Sequence, residues 1–207
     1  LQKPLEMGAD IVVYSTTKHL DGQGRSLGGA IVTNDEDYVK DLLTPFLRHT
    51  GPAMSPFNAW LVLKGIETLE LRIRQHCANA RVIAEYMGKN AAITKVLYPG
   101  LESHPSFELC KQQMRAPGGM VSFELKGGVP AGVAFATGTD IFTLAESLGG
   151  VESLVETPPS MTHASIPADV RHAAGLMDGL VRLSVGIEHE ADLLSDVDLA
   201  LAKVASI

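Results

Sequence analysis

Cysteine is scarce in this chain. Cys77 and Cys110 are its two cysteines, and neither has metal-ligand or disulfide spacing. That excludes a disulfide framework and makes a reducing compartment, the cytoplasm, the expected location. No apolar run comes near the roughly 20 residues of a membrane span. Lys/Arg runs are absent and the net charge is -7, which argues against binding to a nucleic-acid backbone. The seven histidines form no H-E-x-x-H and no other metal spacing, so no metal is expected. Residues 1–10 are mixed in character and carry Glu6 and Asp10, so they do not read as a signal peptide. An initiator methionine is also lacking. The chain starts Leu-Gln-Lys-Pro and reaches an informative strand almost at once, as expected for the later part of a longer polypeptide.

What is present is enough for a substantial core. The 207 residues are 45% hydrophobic, which suits one large domain or one and a half small ones. Residues 9–14 read as a short, buried, β-branched strand, and 15–27 as a polar, glycine-rich loop. Gly29–Thr33 reads as a second strand. Asn34 or Asp35 is placed to cap a helix running through Leu47, and Pro56 suits the first turn of another. From Phe57 to about Lys89 the pattern is helical, with a break expected near Gly65 and one long helix over Leu69–Met87. Shorter elements follow: strands at Ile93–Tyr98, Gly119–Lys126, Phe142–Leu144, Ser153–Glu156 and Leu180–Gly186, and helices at His104–Met114, Val129–Thr137, Pro167–Ala174 and Glu190–Ala205. The pattern predicts an α/β fold. Residues 1–65 end one domain, 66–89 form a connecting helix, and 90–207 form a subdomain with a mostly antiparallel sheet and helices on one face.

The densest chemistry lies in Asp10-Ile-Val-Val-Tyr-Ser-Thr-Thr-Lys-His, where an apolar run ends in three hydroxyl residues and a lysine. Hydroxyls beside an amine at the mouth of a strand suit a phosphate-bearing aldehyde. Ser15 and Thr17 would hold the phosphate, and Lys18 would condense with the carbonyl. Pyridoxal 5'-phosphate is such an aldehyde. Ser-x-Thr-Lys is a short pattern, and a surface lysine after a strand is the alternative reading. Gly22, Gly24 and Gly28 invite a dinucleotide reading. However, their spacing is one residue off the fingerprint, and a strand follows where a helix is required.

Further candidates lie in the second half. Arg182 alternates with Val181 and Leu183, so it shares a strand face with Ser184. There it would either fork onto a substrate carboxylate or lie on a solvated sheet face. Glu146 and Ser147 stand between a strand and the Gly149-Gly150 turn. Thr162 and His163 follow the rigid Pro158-Pro159, and His163 reads as either a general base or a structural group.

Taken in order, these segments resemble the Cys/Met-metabolism family of pyridoxal-phosphate enzymes. Its members include cystathionine γ-synthase, cystathionine γ-lyase, methionine γ-lyase and the O-acylhomoserine sulfhydrylases. The matching segments are Gly8 to His19, Gly118-Gly-Met-Val-Ser-Phe-Glu-Leu-Lys-Gly, Leu144-Ala-Glu-Ser-Leu-Gly-Gly-Val-Glu-Ser-Leu, Met161-Thr-His-Ala-Ser and Arg182-Leu-Ser-Val-Gly-Ile-Glu. The resemblance implies the type I, aspartate aminotransferase-like fold, here the later part of the large domain plus the C-terminal α/β subdomain. It implies Lys18 as the cofactor-bearing lysine that shuttles protons between Cα, Cβ and Cγ, with Ser15 and Thr17 on the phosphate. Arg182 takes the substrate α-carboxylate beside Ser147, Glu146 helps set β- versus γ-specificity, and Thr162 lends support.

The same resemblance implies an amino-acid substrate and a homotetramer of paired dimers, with no nucleic-acid or membrane partner. The family's aspartate for the pyridinium nitrogen lies before the segment matching Leu1-Gln2-Lys3-Pro4, as do its ring-stacking aromatic and its Tyr and Arg for the neighbouring phosphate. These 207 residues expressed alone are therefore expected to be inactive. The implied reaction is replacement at Cγ of O-succinyl- or O-acetylhomoserine by cysteine or sulfide. Elimination of the cystathionine γ-lyase or methionine γ-lyase type is the alternative. A nicotinamide oxidoreductase or an inactive structural remnant are remoter readings.

Overall fold

A computed structural model describes residues 1–206, which fall into two compact units, the first Leu1–Glu70 and the second beginning at Leu71. In the first unit a 3-10 turn, Pro4–Met7, precedes strand β1, Ile11–Ser15. β1 pairs antiparallel with β2, Gly29–Thr33, in a two-stranded ladder from Ile11↔Thr33 to Ser15↔Gly29. The buried strand expected over 9–14 is mostly exposed in this chain, with Val13 at 74%. The β-branched residues are there, but the ladder holds only two strands, too few to bury either face.

The segment read as a loop over 15–27 begins instead with a π-helical turn, Thr16–Leu20, interrupted by non-helical backbone at Lys18. Asp35, rather than Asn34, caps the next helical segment, its Oδ1 accepting from the Tyr38 N–H at 2.8 Å. That segment carries a π-helical stretch, Tyr38–Leu43, and runs on as α1, Thr44–Thr50, three residues beyond the expected end. Gly51, at φ 84°, closes it, because a left-handed residue ends a helix at little cost when it has no Cβ. Ser55 caps α2, Pro56–Glu67, by accepting from the Asn58 N–H at 3.1 Å.

The helical break falls at Thr68, not Gly65. Gly65 is a helical residue whose missing Cβ lets α2 lie against the carbonyl oxygens of Leu20 and Asp21. Helix α3 then runs Leu69–Met87, as the pattern predicted.

The second unit is built on a five-stranded sheet. Its strands are β3 (Ile93–Leu97), β4 (Met120–Leu125), β5 (Thr143–Leu144), β6 (Leu154–Glu156) and β7 (Leu180–Ser184), in the order β3-β4-β7-β6-β5. All neighbours are antiparallel except β5 and β6. The helices are α4 (Phe107–Gln113), α5 (Gly128–Ala136), α6 (Ala168–Ala173) and α7 (Glu190–Val204). α4 starts after Ser106 and not at His104, since residues 101–106 are spent on turns.

Strand alternation sorts the sheet's two faces. Val121, Phe123 and Leu125 of β4, Val155 of β6, and Val181, Leu183 and Val185 in and after β7 enter one core. Ala80, Ile83 and Met87 of α3, Phe135 of α5 and Leu193, Val197 and Leu201 of α7 complete it. Phe123 meets Phe135 edge-on, with ring centroids 5.0 Å apart. The other face carries Ser122, Arg182, Ser184 and Glu156 in register, Arg182 opposite Ser122 on one side and Glu156 on the other. Among the described residues no helix is long and apolar enough to cross a membrane, and no group of His, Cys, Asp or Glu is placed to hold a metal.

Candidate functional site

The first constellation sits on the turn that β1 feeds. Ser15 ends the strand with an exposed side chain that makes no hydrogen bond among the described residues. Thr16 is 2% exposed, and its buried hydroxyl makes no hydrogen bond among the described residues. Thr17 braces the loop opposite: its Oγ1 accepts from the Gly28 N–H at 3.1 Å and reaches the Gly28 carbonyl at 3.4 Å. Lys18 is half-buried.

The turn is held from behind. α2 packs against it at Gly65, and the Asn58 amide donates to the Leu27 carbonyl at 3.3 Å. Asp21 is fully buried and clasps Arg25, its Oδ2 accepting from the backbone N–H at 2.6 Å and its Oδ1 from Nε at 2.9 Å. Burial alone would push the Asp21 carboxyl up. Arg25's hydrogen bonds and charge outweigh it and hold the carboxyl below its usual range. Gly28 also keeps space: a Cβ there would lie 2.6 Å from both Thr16 Oγ1 and Met54 Cε. The turn thus offers an amine, a free hydroxyl at Ser15 and a second at Thr17 whose hydrogen is only loosely committed, on a braced backbone.

A hollow of about 430 Å³ in the same unit, lined by Gly8, Asp10, Thr33, Asp35 and Tyr38 among others, contains none of these residues. Its lining side chains include no amine to meet an aldehyde.

The second constellation lies on the sheet face opposite the core. Arg182 is anchored three ways: Nη1 to Glu156 Oε1 at 2.9 Å, and Nη2 to the carbonyls of Glu146 at 2.7 Å and Ser147 at 3.2 Å. Its side chain keeps 25% exposure, so it is neither on a solvated sheet face nor fully buried. Ser184, two residues on, accepts from the Gly149 N–H at 2.9 Å and pins the same loop. The loop is fixed upstream by Asp196 of α7, whose carboxylate accepts from the N–H groups of Asp140, Ile141 and Phe142 at 2.6–3.0 Å. Downstream, Glu188 accepts from the Ser153 N–H at 2.6 Å and from its hydroxyl at 2.9 Å.

Arg182, Glu146 and Ser147 are therefore brought together. Thr162 is exposed, and its hydroxyl contacts His163 Nδ1 at 2.9 Å. The residue that sequence reasoning missed is Glu156, only 2% exposed, with Oε2 making no hydrogen bond. Burial pushes its carboxyl up; Arg182 opposes the rise, Glu146 adds to it and His163 opposes it, and the net shift is upward. One signal was legible: a carboxylate ending a Leu-Val-Glu strand one residue before Thr157-Pro158.

Residues 1–202 match the model of the family described as Cys/Met metabolism PLP-dependent enzyme. The chain is 49% identical over 204 residues to the cystathionine β-lyase of Lactococcus lactis subsp. cremoris (strain MG1363), covering 98% of this chain and 53% of that protein. It superposes on the cystathionine γ-synthase of Xanthomonas oryzae pv. oryzae, solved in complex with aminoacrylate and cysteine, with TM-score 0.94 and 47% identity, covering 100% of this chain and 53% of the other. It superposes on the cystathionine γ-lyase of yeast with TM-score 0.95 and 44% identity, covering 99% and 53%. The chain thus spans about half the length of the relatives it matches, and those relatives divide among three reactions.

Proposed function

Because the chain belongs to the Cys/Met metabolism PLP-dependent enzyme family and shares its type I α/β fold, we propose that it serves transsulfuration, acting on homoserine- or cysteine-derived amino acids. The observation that carries the reading is the braced Thr16–Leu20 turn, with Lys18 behind a run of hydroxyls. Its donor set fits pyridoxal 5'-phosphate: an amine for the aldehyde, and hydroxyls at Ser15 and Thr17 for the phosphate oxygens. Bound there, the cofactor would supply that aldehyde and an electron-poor ring able to take up charge from the substrate Cα.

The chain's own residues divide the remaining work. Lys18 takes a proton from Cα and returns protons along the carbon chain, which requires an amine free of charge at that moment. Arg182 takes the substrate α-carboxylate through its planar fork, and Ser147 lines the same pocket. Thr162 supports the rim through His163.

For the reaction itself we favour replacement at Cγ of O-succinyl- or O-acetylhomoserine by cysteine or sulfide. Glu146 supports this: its exposed carboxylate beside the Arg182 anchor would attract the ammonium group of an incoming cysteine. Elimination from cystathionine, the reaction named for the Lactococcus and yeast relatives, is the second reading. The same family assignment supports self-association of the complete protein into a homotetramer, checked by sedimentation.

The test compares O-succinylhomoserine plus cysteine or sulfide with cystathionine alone, on the complete protein, after borohydride labelling has located the cofactor. A label on Lys18 and faster turnover of the homoserine ester support the proposal. A label elsewhere defeats the site, and faster breakdown of cystathionine defeats replacement.

A further inference from the structure

The observations reach furthest at Glu156. This carboxylate lies directly opposite Arg182 in the β6–β7 ladder and is all but excluded from solvent, at 2%. Its surroundings on that face are few. Arg182 comes from β7, Glu146 from the loop after β5 and His163 from the turn after the Pro158–Ser160 3-10 segment. Among the described residues only Arg182 forms an ion pair with it, and Oε2 is left with no hydrogen bond. Burying a carboxylate is costly unless it is paired and hydrogen-bonded, and here the pairing is to Arg182 alone among the described residues.

A guanidinium that must meet a carboxylate in a set plane has to be prevented from rotating about its long stem. Two backbone carbonyls, those of Glu146 and Ser147, hold Nη2. They lie on a loop, and a loop by itself holds a side chain less firmly than a sheet. Glu156 holds Nη1 from an interior strand, β6, whose pairing with β7 fixes the distance. Nε is buried and makes no hydrogen bond among the described residues, so the donor left to meet a ligand is the second hydrogen of Nη1.

We propose that Glu156 is a positioning residue, which locks the Arg182 guanidinium against the sheet so that its remaining Nη1 hydrogen faces an arriving substrate carboxylate. The inference rests on the reading that Arg182 receives that carboxylate. It adds the group that aims Arg182. Placement is the essential contribution, and the negative charge is secondary. Glutamine at this position, with an oxygen in the same place, would keep the fork aimed, whereas an apolar residue of similar bulk would release it.

The experiment uses the complete, cofactor-loaded protein and three variants, Glu156→Gln, Glu156→Met and Arg182→Lys. One readout is the split between KM and kcat. The other, independent of turnover, is the ratio of the inhibition constants of butyrate and butyramide, which differ only in the carboxylate. Glu156→Met is expected to raise KM roughly tenfold with kcat nearly unchanged and to erase the preference for butyrate. Glu156→Gln should stay within about threefold of the parent on both readouts.

An unchanged butyrate preference in Glu156→Met overturns the inference. A glutamine variant as impaired as the methionine one also overturns it, because charge and not placement would then be what matters. Should Glu156→Met fail to fold by circular dichroism, Glu156→Asp replaces it. Asp draws the carboxylate back by one methylene and must raise KM in the same sense; if it does not, the inference fails. Arg182→Lys separates the two claims. If it too leaves the butyrate preference intact, the carboxylate is received elsewhere and the underlying site reading is what falls.

Discussion

Gly65 and Asp21 touch backbone to backbone: the helix α2 glycine lies against the Asp21 carbonyl with no room for a Cβ between them. That contact seats the turn bearing Lys18. Gly65→Ala should strain it and lower stability by about 1–3 kcal/mol, the usual cost of overpacking a closed contact. It should also loosen cofactor retention. Thermal melting together with cofactor absorbance after dialysis checks both; full retention with an unchanged melt would show that the turn is seated by other contacts.

Lys18→Ala removes the amine and, on the proposed reading, should abolish turnover in the complete protein, since neither covalent attachment nor proton shuttling would have a substitute. Borohydride labelling of the corresponding peptide should disappear. Residual label on another lysine would relocate the site.

Thr17→Val keeps the shape and removes the hydroxyl that accepts from the Gly28 N–H. The half-buried N–H loses its partner, at about 1–2 kcal/mol, and on the proposed reading the phosphate would lose a donor. Titration of the apo form with cofactor should show affinity weakened roughly tenfold, with the substrate KM much less affected.

Ser184→Ala frees the Gly149 N–H from a buried acceptor 2.9 Å away. The cost is about 1–3 kcal/mol. The loop carrying the carbonyls that grip Arg182 should become looser, so KM should rise more than kcat falls. A variant with normal KM would show that the loop is held well enough from Asp196.

His76 gives the pH prediction. It is 1% exposed, and its Nδ1 lies 2.6 Å from the Val185 carbonyl. Burial lowers its folded-state pKa from the ordinary 6.5, with Arg72 adding to the drop; the Val185 hydrogen bond and the charges of Glu188 and Glu152 oppose it. The folded protein therefore binds this proton less readily than the unfolded chain. Its contribution is fully present above about pH 6.5 and falls away as the pH drops towards the lowered folded value. Urea midpoints should fall from pH 7.5 to pH 5.5, and the slope should be shallower in His76→Gln. Parallel slopes in the two proteins would remove His76 as the cause.

Much of this was legible from residue order, because the relevant signals are local. Helix α3 was readable end to end, over Leu69–Met87. The β4 alternation of Val121, Phe123 and Leu125 gave the core face directly. Lys18 stood out because its hydroxyl neighbours are its neighbours in sequence. Less legible was the end of β1. Apolar composition implied burial, but exposure depends on how many strands cover it, and here a single partner does.

Residue order by itself determined the α/β alternation and the run of hydroxyls before Lys18, and the resemblance of its segments gave the family. Tertiary structure alone decided that Glu156 stands opposite Arg182, that Ser184 pins Gly149, and that Gly65 is a contact and not a break. The reason is physical. Helix and strand periods repeat every few residues, whereas which carboxylate meets which guanidinium is set by strand order and register between segments far apart in the chain.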